Sequence, residues 1–344
     1  MKVEEPRSAR LKKIVDSFSS KSVLVIGDLM LDEYLYGSTD RISREAPVLI
    51  LTYNKSLLMP GGAGNACANA SSLGAGAIPV GVIGEDETGS RLLDLLTASG
   101  TESEAVVRCR GFETIRKTRI LAGGFHCAKQ QVIRIDRGSR VSLNKRVEAL
   151  LLAKVRSILP RVDAVLFSDY GYGVVSENLR EEVTRLARQR RIPVCVDSRF
   201  GLTNFKGVTV ATPNEAEAGD AAGIEIRDRD GLLEAGSNLL KALGLKSLII
   251  TQGSSGMTVF EKGRRPVHVP IFGSDEIADV TGAGDTVAAT VILSFSSGAT
   301  AVEASCIATY AGSLVVMKRG TAVVSAKELL HAVSIGRIGG LVAL

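Results

Sequence analysis

Apolar residues in this chain gather mostly in short unbroken runs rather than in strict alternation. Ser22–Gly27 (SVLVIG) is one such run, and beyond residue 160 it is repeated at Ala164–Phe167, Val194–Val196, Val208–Ala211 and Leu248–Ile250. Runs of this length between polar stretches predict strands covered on both faces. The intervals carry helical patterning, as in Glu177–Gln189, and residues 7–18 read as a short amphipathic helix. Alternation of this kind predicts an α/β fold, a doubly wound, mostly parallel sheet flanked by helices. Residues 30–55 and 105–135 interrupt it, with Leu49–Thr52, Thr118–Leu121 and Val132–Ile135 reading as strands outside the main sheet. They predict a small β-sheet lid. No linker, repeat or low-complexity segment breaks the chain, so 1–344 is expected to be a single domain.

Each of these runs gives way to polar residues: Gly27-Asp28, Ser168-Asp169, Asp197-Ser198-Arg199, Thr212-Pro213-Asn214 and Thr251-Gln252-Gly253. Open parallel sheets bind ligands at the carboxyl ends of their strands, so this recurrence points to a site there. Composition narrows its type. With 45% hydrophobic residues the chain can build a sizeable core, and a net charge of +5 with scattered Lys and Arg argues against nucleic acid while suiting an anionic small molecule. Five cysteines (Cys67, Cys109, Cys127, Cys195, Cys306) without Cys-x-x-Cys spacing predict reduced thiols in a cytoplasm, and three scattered histidines exclude a His-based metal site or triad. The charged N-terminus is unlike a signal peptide, and no apolar run is long enough to span a membrane.

The strongest chemical signal is Asp279-Val280-Thr281-Gly282-Ala283-Gly284-Asp285-Thr286, set before an apolar helical run. Gly282 and Gly284 let backbone N–H groups converge, and a helix N-terminus adds partial positive charge, which together make an anion hole. A carboxylate there would repel phosphate, so Asp285 reads as a base beside it, awaiting a hydroxyl proton; the alternative is a glycine-rich turn capped by Asp. Pro60-Gly61-Gly62-Ala63-Gly64-Asn65 precedes a small-residue helix (Ala66–Leu73), and Asn65 suits a sugar hydroxyl or caps the helix. Asp28 and Asp32 either accept vicinal hydroxyls or cap turns. Asn214-Glu215-Ala216-Glu217 opens a helix, where Glu217 either holds Mg²⁺ through water or completes a cap. Neither a Gly-Lys-[Ser/Thr] loop nor a His-Arg-Asp loop is present, and Gly171-Tyr172-Gly173 lacks the third glycine of a dinucleotide fingerprint.

Taken together these motifs resemble the ribokinase-like (PfkB) sugar kinases over about residues 20–330. The segment Asp279–Asp285 matches the family's C-terminal motif, Gly61–Asn65 its N-terminal one, and Asn214 with Glu217 its magnesium motif. Within the family the chain is similar to bacterial heptose 7-phosphate kinases, including the kinase half of the bifunctional heptose kinase/adenylyltransferase. That similarity rests on Gly27–Tyr34, Arg41–Val48, Gln130-Gln131 with Arg134, and Ser168–Gly171. No His-x-Gly-His motif is present, so the kinase step is what the resemblance implies. It departs from the subgroup at Tyr172 and Arg199, where lysines are usual, and at residues 122–128.

The resemblance implies ATP, Mg²⁺ and a monovalent cation such as K⁺ as cofactors. It places the nucleotide on Asn214, Thr251, Gly253, Gly256 and Arg199, and the acceptor sugar on Asp28, Asp32, Gly61, Gly62, Asn65, Gln131, Arg134 and Asp169. Gly282, Ala283 and Gly284 would hold phosphate, Asp285 would take the proton with its pKa lowered by the helix, and Asp279 and Thr281 would hold the monovalent cation. The implied acceptor is the anomeric hydroxyl of D-glycero-D-manno-heptose 7-phosphate, with an unphosphorylated sugar or nucleoside, or a silent sensor, as rivals. A homodimer joined through the lid is also implied.

Overall fold

The computed structural model describes residues 4–123, 129–138, 140, 143–273, 278–336 and 338–344; most of the altered 122–128 segment, and Cys127, lie outside them. Among the described residues the predicted α/β architecture is present as two sheets. The larger has a parallel centre built from β1 (Ser22–Gly27), β4 (Gly76–Gly84), β8 (Ala164–Asp169), β9 (Val194–Ser198), β10 (Val210–Ala211) and β11 (Ser247–Thr251), with β5 (Val106–Cys109) on one edge. Antiparallel β12 (Met257–Glu261), β13 (Val267–Val269) and β14 (Val342–Ala343) extend the other edge. The spatial order is β14-β13-β12-β11-β10-β9-β8-β1-β4-β5. The order in which strands are added therefore reverses between the parallel neighbours β1 and β8, which opens a crevice at their carboxyl ends.

The unbroken apolar runs are explained by cover on both faces. In β1, Val23 and Val25 enter one core and Leu24 and Ile26 the other. The first core is shared with α1 (Ser8–Asp16), α2 (Ala63–Ser72), α3 (Glu87–Ala98), α8 (Ala283–Ser296), α9 (Ala301–Val316) and α10 (Ala326–Ile335). The second is shared with α4 (Lys145–Ile158), α5 (Glu177–Arg190), α6 (Glu215–Ala222) and α7 (Arg229–Ala242). Ten consecutive residues of α8, Asp285 to Ser294, are buried, whereas Gly284 at its first turn is exposed, so the helix is held along its body and opens at its N-terminus.

The smaller sheet contains β2 (Leu29–Ile42), β3 (Leu49–Gly62), β6 (Ile115–Gly123) and β7 (Gln130–Arg137), in the order β3-β2-β6-β7. It corresponds to the predicted extra strands, with corrected limits: β3 runs on to Gly62, and Val106–Cys109 belongs to the main sheet, not to the insertion. Asp28 is all that separates β1 from β2, and β3 passes directly into α2, so both ends of this hairpin are tied to the main sheet. Gly62 makes the second junction at φ 55°, where a Cβ would stand 2.6 Å from the Asp28 carbonyl oxygen. Register aligns Asp32 with Lys117 and Asp136, and Tyr34 with Arg119 and Arg134. Residues so aligned share one face of a sheet, and that face carries charge.

Candidate active site

The N-terminus of α8 lies at the crevice. Gly282 is its N-cap at φ 80°, and a Cβ there would come 2.5 Å from Asn65 Nδ2, so conformation and crowding both require glycine. The first turn of a helix carries N–H groups without an intrahelical partner, and Gly284 lines the two cavities that meet there. Asp285 follows at 2% exposure. Its Oδ2 accepts from Asn65 Nδ2 at 2.8 Å and its Oδ1 from the Tyr170 hydroxyl at 2.9 Å. Asn65 is in turn oriented by Asn69, which donates to Asn65 Oδ1 at 3.1 Å and accepts from Thr286 at 2.9 Å.

The expected lowering of the Asp285 pKa by the helix is corrected by this environment. Burial outweighs the hydrogen bonds from Asn65 and Tyr170 and pushes the carboxyl up to about 7. A group so poised is a better base at neutral pH than an ordinary carboxylate. Asn65, expected on a sugar hydroxyl, directs its amide at Asp285.

Asp28 is also corrected. It is fully buried, and its carboxylate accepts the backbone N–H groups of Tyr170 and Tyr172 through Oδ2 (2.8 and 3.1 Å) and of Val174 through Oδ1 (3.3 Å). Those bonds shape the loop after β8 and leave no free edge for a sugar. Asp169 accepts from the Gly171 N–H at 3.0 Å and the Ser198 hydroxyl at 2.8 Å, yet also lines the crevice beside Arg199 and Glu217.

Asp32, expected on the sugar, lies at the foot of the small sheet beside Gly61. Its Oδ1 accepts from Arg119 Nη1 at 2.6 Å, and its Oδ2 lies where a Cβ on Gly61 would be only 2.6 Å away. Arg119, stacked on Tyr34 with 5.2 Å between guanidinium and ring centre, was not anticipated. Nor was Lys117, whose ammonium lies 5.1 Å from the Tyr170 ring centre and 5.5 Å from that of Tyr172. Lys117, Arg134, Arg140 and Arg199 surround a cavity of about 330 Å³ with Asp136 as its acidic member. Arg134 donates to Asp136 through Nε and Nη2, at 2.8 and 3.0 Å. Gln131 is exposed on β7 and does not line this cavity. Arg134 and Arg199 were expected near the site; the signal that could have found Lys117 and Arg119 is their period-two spacing on one strand.

On the other side of Gly284 is a mostly apolar slot. Thr251, Gly253 and Gly256 line it as predicted, joined by Val280, Val287 and Thr309. Asn214 and Glu217 form a reciprocal cap of α6, each side chain accepting the other's N–H at 2.9 Å. Glu217 also faces the crevice with Asp197 and Arg199. Asp279 accepts the N–H groups of Thr281 (2.9 Å) and Gly320 (3.0 Å), which ties the loop before α8 to the loop after α9. Among the described residues no helix is long and apolar enough to cross a membrane.

Residues 20–328 match the model for pfkB family carbohydrate kinases. The chain is 39% identical over 329 residues to the bifunctional protein HldE of Trichlorobacter lovleyi, covering 94% of this chain and 66% of that protein. It is 40% identical over 310 residues to HldE of Geobacter metallireducens, covering 90% and 62%. The chain thus spans less than two thirds of the length of these curated relatives. Its fold matches Arabidopsis thaliana ribokinase complexed with ribose and ATP (TM-score 0.71, 19% identity, 92% and 99% covered). It likewise matches Escherichia coli phosphofructokinase-2 in complex with potassium (TM-score 0.73, 17% identity, 91% and 98% covered). These matches identify the chain as a ribokinase-like member of the pfkB carbohydrate kinase family, an ATP-dependent sugar kinase.

Proposed function

We propose that this kinase phosphorylates the anomeric hydroxyl of D-glycero-D-manno-heptose 7-phosphate, with Asp285 as the base. The observation that carries a phosphorylated acceptor is the cavity under Lys117, Arg134, Arg140 and Arg199, which reaches Asp285 through Tyr170. Cations gathered around one cavity are what a sugar's own phosphate would need. They also make good the subgroup lysines replaced by Tyr172 and Arg199. The HldE relatives favour a heptose as the sugar.

In this reading the sugar ring lies between the small sheet and the crevice, against Asp32, Gly61 and Gly62. ATP lies in the apolar slot, with its phosphates over the N–H groups of Gly282–Asp285. Asp285 accepts the hydroxyl proton as the new bond to phosphorus forms. Positioning supplies most of the rate in such a transfer. Glu217 fits Mg²⁺ held through water, since one of its oxygens is engaged by Asn214 while the residue faces the crevice; the ion would neutralise phosphate charge. K⁺ is assigned to the loop that Asp279 and Thr281 form.

The chain acts as one kinase domain with the small sheet as its lid. Ile133 and Ile135 on that sheet are 53% and 40% exposed, which supports pairing of two lids in a homodimer. Free thiols at Cys67, Cys109, Cys195 and Cys306 suit a cytoplasmic setting. The test is ADP release from ATP and Mg²⁺ with the heptose 7-phosphate beside ribose, fructose, fructose 6-phosphate and adenosine. Preference for the heptose phosphate is expected. Preference for an unphosphorylated acceptor would overturn the substrate, not the family.

A further inference from the structure

Tyr170 joins both sheets to the helix that carries the base. Its backbone N–H donates to Asp28 at 2.8 Å, its ring faces Lys117 Nζ at 5.1 Å, and its hydroxyl donates to Asp285 Oδ1 at 2.9 Å. Asn65 holds the other carboxylate oxygen at 2.8 Å. Both oxygens of a 2%-exposed base are therefore engaged before any acceptor arrives. Each oxygen could accept a second donor, but at 2% exposure the carboxylate has almost no open surface, so a hydroxyl reaches it most readily where a donor gives way. Asn65 is fully buried and braced by Asn69, whereas Tyr170 stands partly exposed on the wall of the cationic cavity. Its ring contact with Lys117 is worth about 1 kcal/mol. The phenol is the donor able to give way.

We propose that Tyr170 is a positioning residue that fills the acceptor hydroxyl's place on Asp285 Oδ1, so that the base is uncovered only when a sugar displaces the phenol. The proposal rests on Asp285 being the base. In the productive step the sugar O–H bond breaks and its proton passes to Asp285. The sugar oxygen bonds to the γ-phosphorus of ATP as the bond from that phosphorus to the β–γ bridging oxygen breaks, and ADP leaves. Water in the same place would complete the same steps and yield inorganic phosphate. The Tyr170 hydroxyl keeps that place from water, so ATP is spent only on sugar. Burial and the nearby Asp285 hold the phenol well above its usual pKa, so it stays a donor and does not compete as a base.

The test is Tyr170→Phe, which keeps the ring over Lys117 and opens a gap about one oxygen wide beside Oδ1. Phosphate release is measured with ATP and Mg²⁺ alone, and ADP release with whichever of the five acceptors turns over fastest. The ratio of hydrolysis to transfer should rise about tenfold, the worth of one hydrogen bond to a charged group. Removing a donor to the carboxylate also favours its protonated form, so the acid limb of kcat/KM should move to higher pH. Asn65, Asp32, Lys117, Asp197 and Cys67 also face Asp285, and the variant leaves them unchanged. A thermal midpoint for each protein separates these readouts from misfolding, and Tyr170→Leu repeats the hydrolysis ratio without an aromatic ring. An unchanged ratio with an unmoved acid limb overturns the proposal. Asp285→Asn separates the two levels: if it still transfers phosphate, the base assignment has failed; if it is inactive while Tyr170→Phe keeps the ratio, Tyr170 alone has been misassigned.

Discussion

Around the slot of Thr251, Gly256, Val280 and Val287 the walls are uncharged, mostly apolar side chains and glycine backbone with a few hydroxyls, whereas beneath the small sheet Asp32, Arg119, Lys117 and Arg134 crowd charge into one face. The first region can recognise a ligand by shape and by N–H groups that no substitution of a side chain removes. The second depends on ion pairs and aromatic contacts that single substitutions dismantle. Asp285 stands where they meet, at the end of a helix buried along its length but bonded to Asn65 and Tyr170 from the acceptor side. Under the proposed function, donor recognition is thus built into backbone, and acceptor recognition into side chains. The two regions should respond to mutation very differently.

The junction itself should give the largest effect. Asp285→Asn is expected to lower kcat about 10³-fold while leaving ATP affinity nearly intact, as loss of a general base does. Steady-state rates and calorimetric ATP binding check this, and retained turnover would remove Asp285 from its role. The same variant has a stability signature. A carboxyl raised to about 7 binds its proton more tightly folded than unfolded, so its contribution to stability is full at acid pH and is lost as pH rises through that value. Asp285→Asn should therefore be increasingly more thermostable than the parent from about pH 4 to 7, with the gap level above that.

Next in size are the cations of the acceptor region. Lys117→Met should lower kcat/KM for a phosphorylated acceptor by about 10- to 100-fold, the worth of one charge-assisted contact, with KM for ATP unchanged. Equal losses for a phosphorylated and an unphosphorylated sugar would break the comparison, since the cavity would then serve structure and not phosphate.

The same contrast decides how much was legible in the sequence. Gly61–Asn65 and Gly282–Asp285 could be read directly because backbone recognition needs glycine at fixed places beside a helix start, and the structure brings the two motifs within hydrogen-bonding distance. Of the parallel strands, β1 and β8 to β11 were legible because burial on both faces leaves unbroken apolar runs, while β4, interrupted by glycine and proline, and β5, which is short and carries Arg108, were not read. Asp28 was misassigned for a physical reason: a carboxylate at a strand end looks the same whether it awaits hydroxyls or binds three N–H groups of a loop 142 to 146 residues away. Lys117, Arg119 and Tyr170 were missed because their meaning lies in pairings across strands, which local pattern does not carry. The antiparallel edge β12–β14 went unread for a related reason, being short and carrying polar residues such as His268 on β13.

A pH profile sharpens the junction further. With the Asp285 carboxyl at about 7, kcat/KM should fall about tenfold per unit below that value and level off above it. An acid limb near the ordinary carboxylate range would mean that the site is wetter than its burial implies, and would weaken the distinction between a sealed base and an open acceptor cavity.

The smallest effect is expected in the slot. Thr309 is 3% exposed, lines that slot, and its hydroxyl has no hydrogen-bond partner among the described residues. If donor recognition rests on shape and backbone, this hydroxyl is a cost to the folded protein and not a contact. Thr309→Val keeps its volume and removes the unpaired group, so it should raise stability by up to about 1 kcal/mol and change KM for ATP by no more than about threefold. Thermal melts and ATP saturation curves measure both. A KM for ATP raised about tenfold or more, with stability unchanged, would show that Thr309 bonds the bound nucleotide, and that the slot reads its ligand with side chains as the acceptor region does.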